Sequence, residues 1–576
     1  CAPRPSASGN AANAQVGLYT QTWAFAAFPL ALGRGAQWLT AGKKLGAAVA
    51  WGTFVGLCHP FAGVALGIAF FIGVVLPLGL QPVTELLSPP WLQQTPTVTD
   101  ANETPGAGLR MFGRLCLLGA LLLIASTPGW ITVLVDYAGF GGFPHRVADE
   151  VGPGLKGLAS WQWSGVILDH GRKLHILGWC LPVVLVLARS KYLRWVWPPA
   201  LAYAALLSVG PHLVTPDDLF PAVRFLGALQ IVLAMAAGIG IVQVGKLLWR
   251  WAERTPEPFV LRTAIAAVTA VLLTLVVLPG ARTQHDRVKV ATDYPNNRRN
   301  EMQQFIDRFT ELPPGRKQAL GGAENHWWNL LPYVYAERSA LLQMGGGGLQ
   351  ASPNYDFLWT ERDVRKKAHL YFAPYLLFAR SKADSIPEGR SIMQTEAFEL
   401  RKIDDGGLVA AVAVTGRITG PRKAAKKAAL AWLASDAPMK DEVMAYEPAA
   451  ADLPSSKGGT VDWAVETPSA GDDPDVAAQV TVTTPTMFVA RVSWHPRWEV
   501  EIDGQPAQVV RVTPDFPAVV VGPGAHRLHF RFHRPSWANV SWLLWPLCGF
   551  AGIAIEVWLA RRRRKPPNAP VTARLA

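Results

Sequence analysis

Residues 537–560 form an apolar stretch that runs directly into Arg561-Arg562-Arg563-Arg564-Lys565. About 20 helical residues at 1.5 Å each cross the hydrocarbon core of a bilayer, so this stretch is long enough to span one. Trp537, Trp542 and Trp545 sit at one end and Trp558 at the other, where amphipathic rings settle at membrane interfaces. The cations that follow belong on the cytoplasmic side under the positive-inside rule. The polar region before Trp537 is therefore expected outside the cytoplasm.

Charge is divided in a way that fits this orientation. Residues 281–535 hold 31 Lys+Arg and 30 Asp+Glu, and the remaining residues hold 24 and 12, so the net +13 sits almost entirely in the apolar part. There it occupies short loops beside hydrophobic stretches, which is the pattern of membrane topology and excludes nucleic acid as a partner. Cys58, Cys116, Cys180 and Cys548 fall within apolar stretches, where cysteine acts as a small hydrophobe, so no disulfide framework is expected. Cys1 is followed by a Pro/Ser/Ala/Asn-rich segment. A lipidated mature N-terminus would look like this, but a chain that begins partway into a longer product is the expectation.

Hydropathy predicts about nine spans, at 16–33, 45–59, 61–80, 111–137, 173–188, 195–209, 224–249, 259–279 and 537–560. Arg34, Lys43 and Lys44, then Arg110 and Arg114, then Arg189, Lys191 and Arg194, then Arg250 and Arg254 mark cytoplasmic loops. The expected organisation is an external segment or tether at 1–15, an all-α transmembrane bundle at 16–279, and a periplasmic mixed α/β region at 280–477. A periplasmic antiparallel β-sandwich at 478–536, a final transmembrane helix at 537–560 and a basic cytoplasmic tail at 561–576 complete it. The external loop 138–172 contains an apolar run from Leu158 to Leu168, too short to span and suited to an interfacial or re-entrant helix.

Within the polar region, amphipathic helices are predicted over Asn300–Leu312 and Arg422–Ser435. Period-two alternation then predicts strands at 487–494, 498–502, 509–512, 518–521 and 526–533. Asp503-Gly504 and Gly522-Pro523-Gly524 supply turns between them.

The run Ser493-Trp-His-Pro-Arg-Trp-Glu-Val-Glu-Ile-Asp-Gly504, with Pro523-Gly-Ala-His526 and Phe530-Arg-Phe-His-Arg-Pro535, resembles the C-terminal module of YfhO-type bacterial membrane proteins. Gly17-Leu-Tyr-Thr-Gln-Thr-Trp23 and Cys58-His-Pro60 are similar to segments of the 6-pyruvoyl-tetrahydropterin-synthase-related membrane proteins. Both groups resemble the GT-C superfamily of glycosyltransferases. That resemblance implies a polyprenyl-phosphate-linked sugar donor, a cell-envelope glycan or lipid acceptor, and chemistry at the outer face of the inner membrane. It also implies a signature acidic residue on the first external loop. Residues 1–15 contain no Asp or Glu, so that loop is expected upstream of Cys1.

Such chemistry needs a carboxylate, to act as base or to hold a divalent metal (Mg or Mn), and cations for the lipid phosphate. Asp217 and Asp218 are the candidate catalytic and metal-holding pair, with Arg224 after them for phosphate. Capping of the following helix is the structural alternative for these aspartates. Asp136 is a third catalytic candidate, at the outer end of a span. His59, His145 and the His326-Trp327-Trp328 run are candidate substrate-binding residues, since exposed tryptophan offers a platform for sugar rings. A non-catalytic envelope-assembly protein and a lipid or sugar-lipid transporter are the rival classes. A transporter needs ionisable groups at membrane depth, and apart from Glu556 the predicted spans carry almost none.

Overall fold

The computed structural model describes residues 19–79, 107–131, 154–163, 195–209, 225–255, 257–271, 299–313, 315–320, 361–449, 452–467, 475–533 and 536–564, with the single positions 135, 274, 282, 354 and 357. Apolar helices come first. They are α1 (Tyr19–Ala41), α2 (Leu45–Cys58), α3 (Pro60–Gly79), α4 (Ala107–Ala125), α5 (Gly154–Trp163), α6 (Trp197–Ser208), α7 (Leu226–Ala252) and α8 (Pro258–Val271). Three helical stretches are long and apolar enough to cross a membrane: Gly108–Ala125, Leu226–Ala252 and Trp537–Arg562. Among the described residues, the spans expected at 111–137, 224–249 and 537–560 overlap these three helices, and those expected at 45–59, 61–80 and 259–279 overlap shorter apolar helices. At 14 residues, α2 extends about 21 Å, less than a hydrocarbon core of about 30 Å. The span expected at 173–188 lies outside the described residues.

The break after α2 has a local cause. A residue before proline is driven to extended backbone, and His59 adopts φ −154°, ψ 110° ahead of Pro60. Its N–H still closes the last turn of α2 on the Val55 carbonyl, and its own carbonyl accepts from Gly63 in α3. The two helices then pack so closely that a Cβ on Gly63 would lie 2.8 Å from the Gly56 Cα. Glycine is required there by proximity, as in small-residue packing between membrane helices.

The polar region begins with α9 (Arg299–Glu311) and β1 (Lys317–Leu320), followed by α10 (Val364–Tyr371) and strands β2 (Tyr375–Ala379), β3 (Arg390–Gln394) and β4 (Phe398–Lys402). The strands form one sheet in the order β1-β2-β4-β3, with β1 parallel to β2. Tyr375 and Leu377 turn to the face packed by Met302, Phe305 and Phe309 of α9. Leu376 and Phe378 turn the other way, toward Ala368 of α10. The Asp363 side chain caps α10 by accepting the Arg365 N–H.

Next come β5 (Val409–Ile418), α11 (Arg422–Ala434), β6 (Glu442–Tyr446), β7 (Gly459–Thr467), β8 (Asp475–Val482) and β9 (Thr486–Ala490). Strands β10 (Trp498–Ile502), β11 (Gln505–Ala507), β12 (Val510–Val512), β13 (Phe516–Val521) and β14 (Gly524–Phe532) complete the region. They form a closed barrel, β12-β13-β9-β5-β6, and a five-stranded sheet, β11-β10-β14-β8-β7. Strands β5, β9 and β13 serve two cores. Val412, Met487, Val489 and Ala518 face the barrel interior with Trp432 of α11. Val409, Phe488, Ala490 and Val519 face Val476, Val480, Val500 and Phe530 of the sheet. The strands expected at 478–536 are present, but they divide between these two bodies and pair with β5–β8. The boundary expected at residue 478 falls inside β8, because both sheets need strands from the preceding segment to complete their ladders.

The chain then re-enters the helical bundle through α12 (Ser536–Ser541) and α13 (Leu544–Arg564). Arg497, in the loop before β10, lies 5.7 Å above the Trp537 ring and fastens the β region to the start of this stretch.

Candidate functional site

Helix α2 has two chemically different ends. At its start, the Glu556 carboxylate of α13 accepts the Leu45 N–H at 3.1 Å, satisfying one of the orphan donors of a helix N-terminus. Beside it Arg114 of α4 donates to the Leu39 and Thr40 carbonyls at 3.0 and 2.8 Å, closing the C-terminal end of α1. Further along, the Trp545 indole N–H donates to the Ala50 carbonyl, and its ring packs near Phe54. Helix α13 therefore runs antiparallel to α2, starting toward the His59 end and finishing at the Glu556 end. The polar region joins the bundle at the His59 end, and Arg561 and Arg562 leave from the other.

His59 is buried, at 7% exposure, and its ring stands 6.3 Å from Phe25 of α1 and 6.0 Å from Phe61 of α3. Phe61 meets Phe225 edge-on at 6.5 Å, and Phe225 stacks on Tyr203 of α6 at 6.3 Å. The Tyr203 hydroxyl donates to the Ala65 carbonyl at 2.6 Å, fixing α6 against α3. One imidazole thus sits in an aromatic cluster built from α1, α3, α6 and the first residue before α7. Tyr203 and Phe225 are fully buried, so this cluster is part of the packed core of the bundle. In sequence Arg224 immediately precedes Phe225, so the one described candidate, His59, shares its end of the bundle with the start of α7.

Asp136, His145, Asp217, Asp218, Arg224, His326, Trp327 and Trp328 lie outside the described residues. The carboxylate pair expected to hold a divalent metal is therefore not described. Among the described residues no group of three or more His, Cys, Asp or Glu comes together as a metal site. Phe25 and Phe61 were not anticipated as neighbours of His59, nor Phe225 and Tyr203 behind them. Their signal was faint: single aromatics near helix ends in segments far apart along the chain.

A second polar cluster lies beside the barrel. Asp441 accepts from Arg491 and from His369, each at 2.8 Å, and the Lys457 ammonium lies 3.6 Å away. Arg491 is 3% exposed, and burial pushes its guanidinium down to about 10. Burial alone would raise the Asp441 carboxyl, but the His369 hydrogen bond and the Arg491 charge hold it below the usual range. Next to it, Leu370, Trp432, Thr513 and Phe516 line a cavity of about 10 Å³, room for about one water and far too little for a sugar. The cluster fastens α10 to the barrel.

No protein-family model, curated protein or solved structure matches this chain.

Proposed function

We propose that this chain is a polytopic bacterial inner-membrane glycosyltransferase of the GT-C type, with a cytoplasmic C-terminus and a periplasmic polar region. It transfers a sugar from a polyprenyl-phosphate carrier to an envelope glycan or lipid at the outer face. The observation that carries this reading is a shared end of the bundle. The aromatic cluster around His59, the start of α7 and the attachment of the polar region all lie opposite Arg561 and Arg562. A donor with a prenyl chain in lipid and a phosphate at the interface needs an apolar wall beside cations, facing a water-borne acceptor. In this reading Arg224 holds the phosphate, and Asp217 and Asp218 supply the base or hold a divalent metal. Glu556, the ionisable residue in the last apolar stretch, is committed to the Leu45 N–H, which supports a transferase over a transporter.

The test compares purified wild type with H59F, D217N, D218N and R224A for melting temperature and for transfer from a radiolabelled polyprenyl-phosphate hexose. R224A should raise the KM for donor, and either aspartate change should lower kcat, all without loss of melting temperature. H59F keeps an aromatic ring in the cluster and should weaken donor binding alone. Normal transfer by all four variants removes the site. Lower melting temperature with unchanged activity per folded molecule returns the aspartates to a capping role.

A further inference from the structure

The five-stranded sheet turns one face to the barrel and the other to solvent, and the solvent face carries a tryptophan that alternation alone would bury. In β7, Val461 points into the shared core opposite Val480. Two residues on, simple alternation would send Trp463 the same way. The register shifts instead: Trp463 lies opposite Gln479, and Asp462 is the extra residue of a bulge. Bulges re-aim side chains, and this one rotates Trp463 outward, where it is 44% exposed beside an equally open Val465.

The neighbours of Trp463 complete a lateral row. Gln479 of β8 lies opposite Trp463, and Arg527 of β14 lies opposite Gln479, so three side chains stand in line on strands about 4.8 Å apart. Ala477 and Ala525 occupy the adjacent rows and keep the floor around the indole low. On the same face His529 pairs with Asp475 at 3.2 Å and Arg531 with Glu501 at 3.8 Å, Glu499 lies opposite Arg531, and Asp462 accepts from the Thr481 hydroxyl at 3.0 Å. The Arg527 guanidinium and the Gln479 amide make no hydrogen bond or ion pair among the described residues.

We propose that the outer face of this sheet binds an acidic saccharide. The apolar face of a pyranose ring stacks on Trp463, the Gln479 amide meets a ring hydroxyl, and Arg527 pairs with a carboxylate or phosphate on the neighbouring sugar. The row contacts no reacting group, so it serves to hold a glycan and stands apart from the transfer reaction.

The test is affinity electrophoresis of the full-length protein in detergent through gels containing polygalacturonate, phosphomannan or neutral dextran. Wild type should be retarded by at least one acidic polymer and not by dextran, and the polymer that works separates carboxylate from phosphate recognition. A basic protein can adhere to polyanions without a site, so the charge-neutral change W463A is decisive. It should weaken the apparent affinity about tenfold while W463Y retains it, and R527Q should lose it as W463A does. Passage of wild type unretarded through both acidic gels overturns the proposal, as does equal retardation of W463A or of R527Q.

Discussion

The Glu556 carboxylate of α13 accepts the backbone N–H of Leu45 at 3.1 Å, across 511 residues of chain. Lys44, just before it, holds a left-handed φ of 72°, so the start of α2 depends on a partner from elsewhere for its capping. E556A should cost about 1 kcal/mol, in the range of a lost helix cap. E556Q keeps an acceptor oxygen and should lose less. Thermal melts of the detergent-solubilised protein check this. Equal stability of E556A and wild type would show that the bond contributes nothing.

Asp441 neutralises a nearly buried arginine, and removing one member of such a pair leaves a charge uncompensated. D441N should destabilise the protein by about 3 kcal/mol, whereas replacing Asp441 and Arg491 together with apolar residues should cost less than the sum of the single changes. The sign with pH follows from the depressed folded-state value of Asp441. Its contribution is complete above the ordinary carboxylate range and is lost as pH falls through the lowered folded value. Denaturation of wild type and D441N across acid pH should therefore converge.

Lys317 behaves in the opposite chemical sense. Burial pushes its ammonium from 10.5 down to about 7, and the side chain is 2% exposed. Between those values the unfolded chain binds more protons than the folded one, so stability rises with pH by up to about 1.4 kcal/mol per unit. K317M should flatten that rise and be the more stable protein near pH 7. A slope unchanged by K317M would show that another group produces it.

Topology gives a fourth outcome. Reporter fusions after Lys44 and after Arg194 should be active with a cytoplasmic reporter, and fusions at residues 150 and 400 with an external one. Cytoplasmic activity at 400 would reverse the orientation and move His59 to the wrong face for an external acceptor.

The legible parts of the sequence were those where one face of an element meets water. Helices at 299–311 and 422–434 and strands at 498–502, 510–512 and 524–532 follow their patterns closely. Strand β5 escaped notice because both its faces are buried, and its Val409–Val414 run of Ala and Val shows no alternation. The outward turn of Trp463 was equally hidden, since a bulge breaks the parity on which such a reading rests. His369, Asp441 and Arg491 come from segments 50 to 122 residues apart, and no spacing rule links them. Of the candidate site, the break at His59-Pro60 was visible in the sequence, but its aromatic surroundings were not.

The packing of α2 against α13 has a consequence for how the molecule is made. A Cβ on Gly46 would fall 2.9 Å from the Gly549 carbonyl, so the first helices and the last share a seam with no room to spare. During synthesis that seam stays open until α13 has been made, after the whole intervening polar region. Until then the face of α2 around Gly46 is uncovered, so the polar region begins folding before α2 has its α13 neighbour.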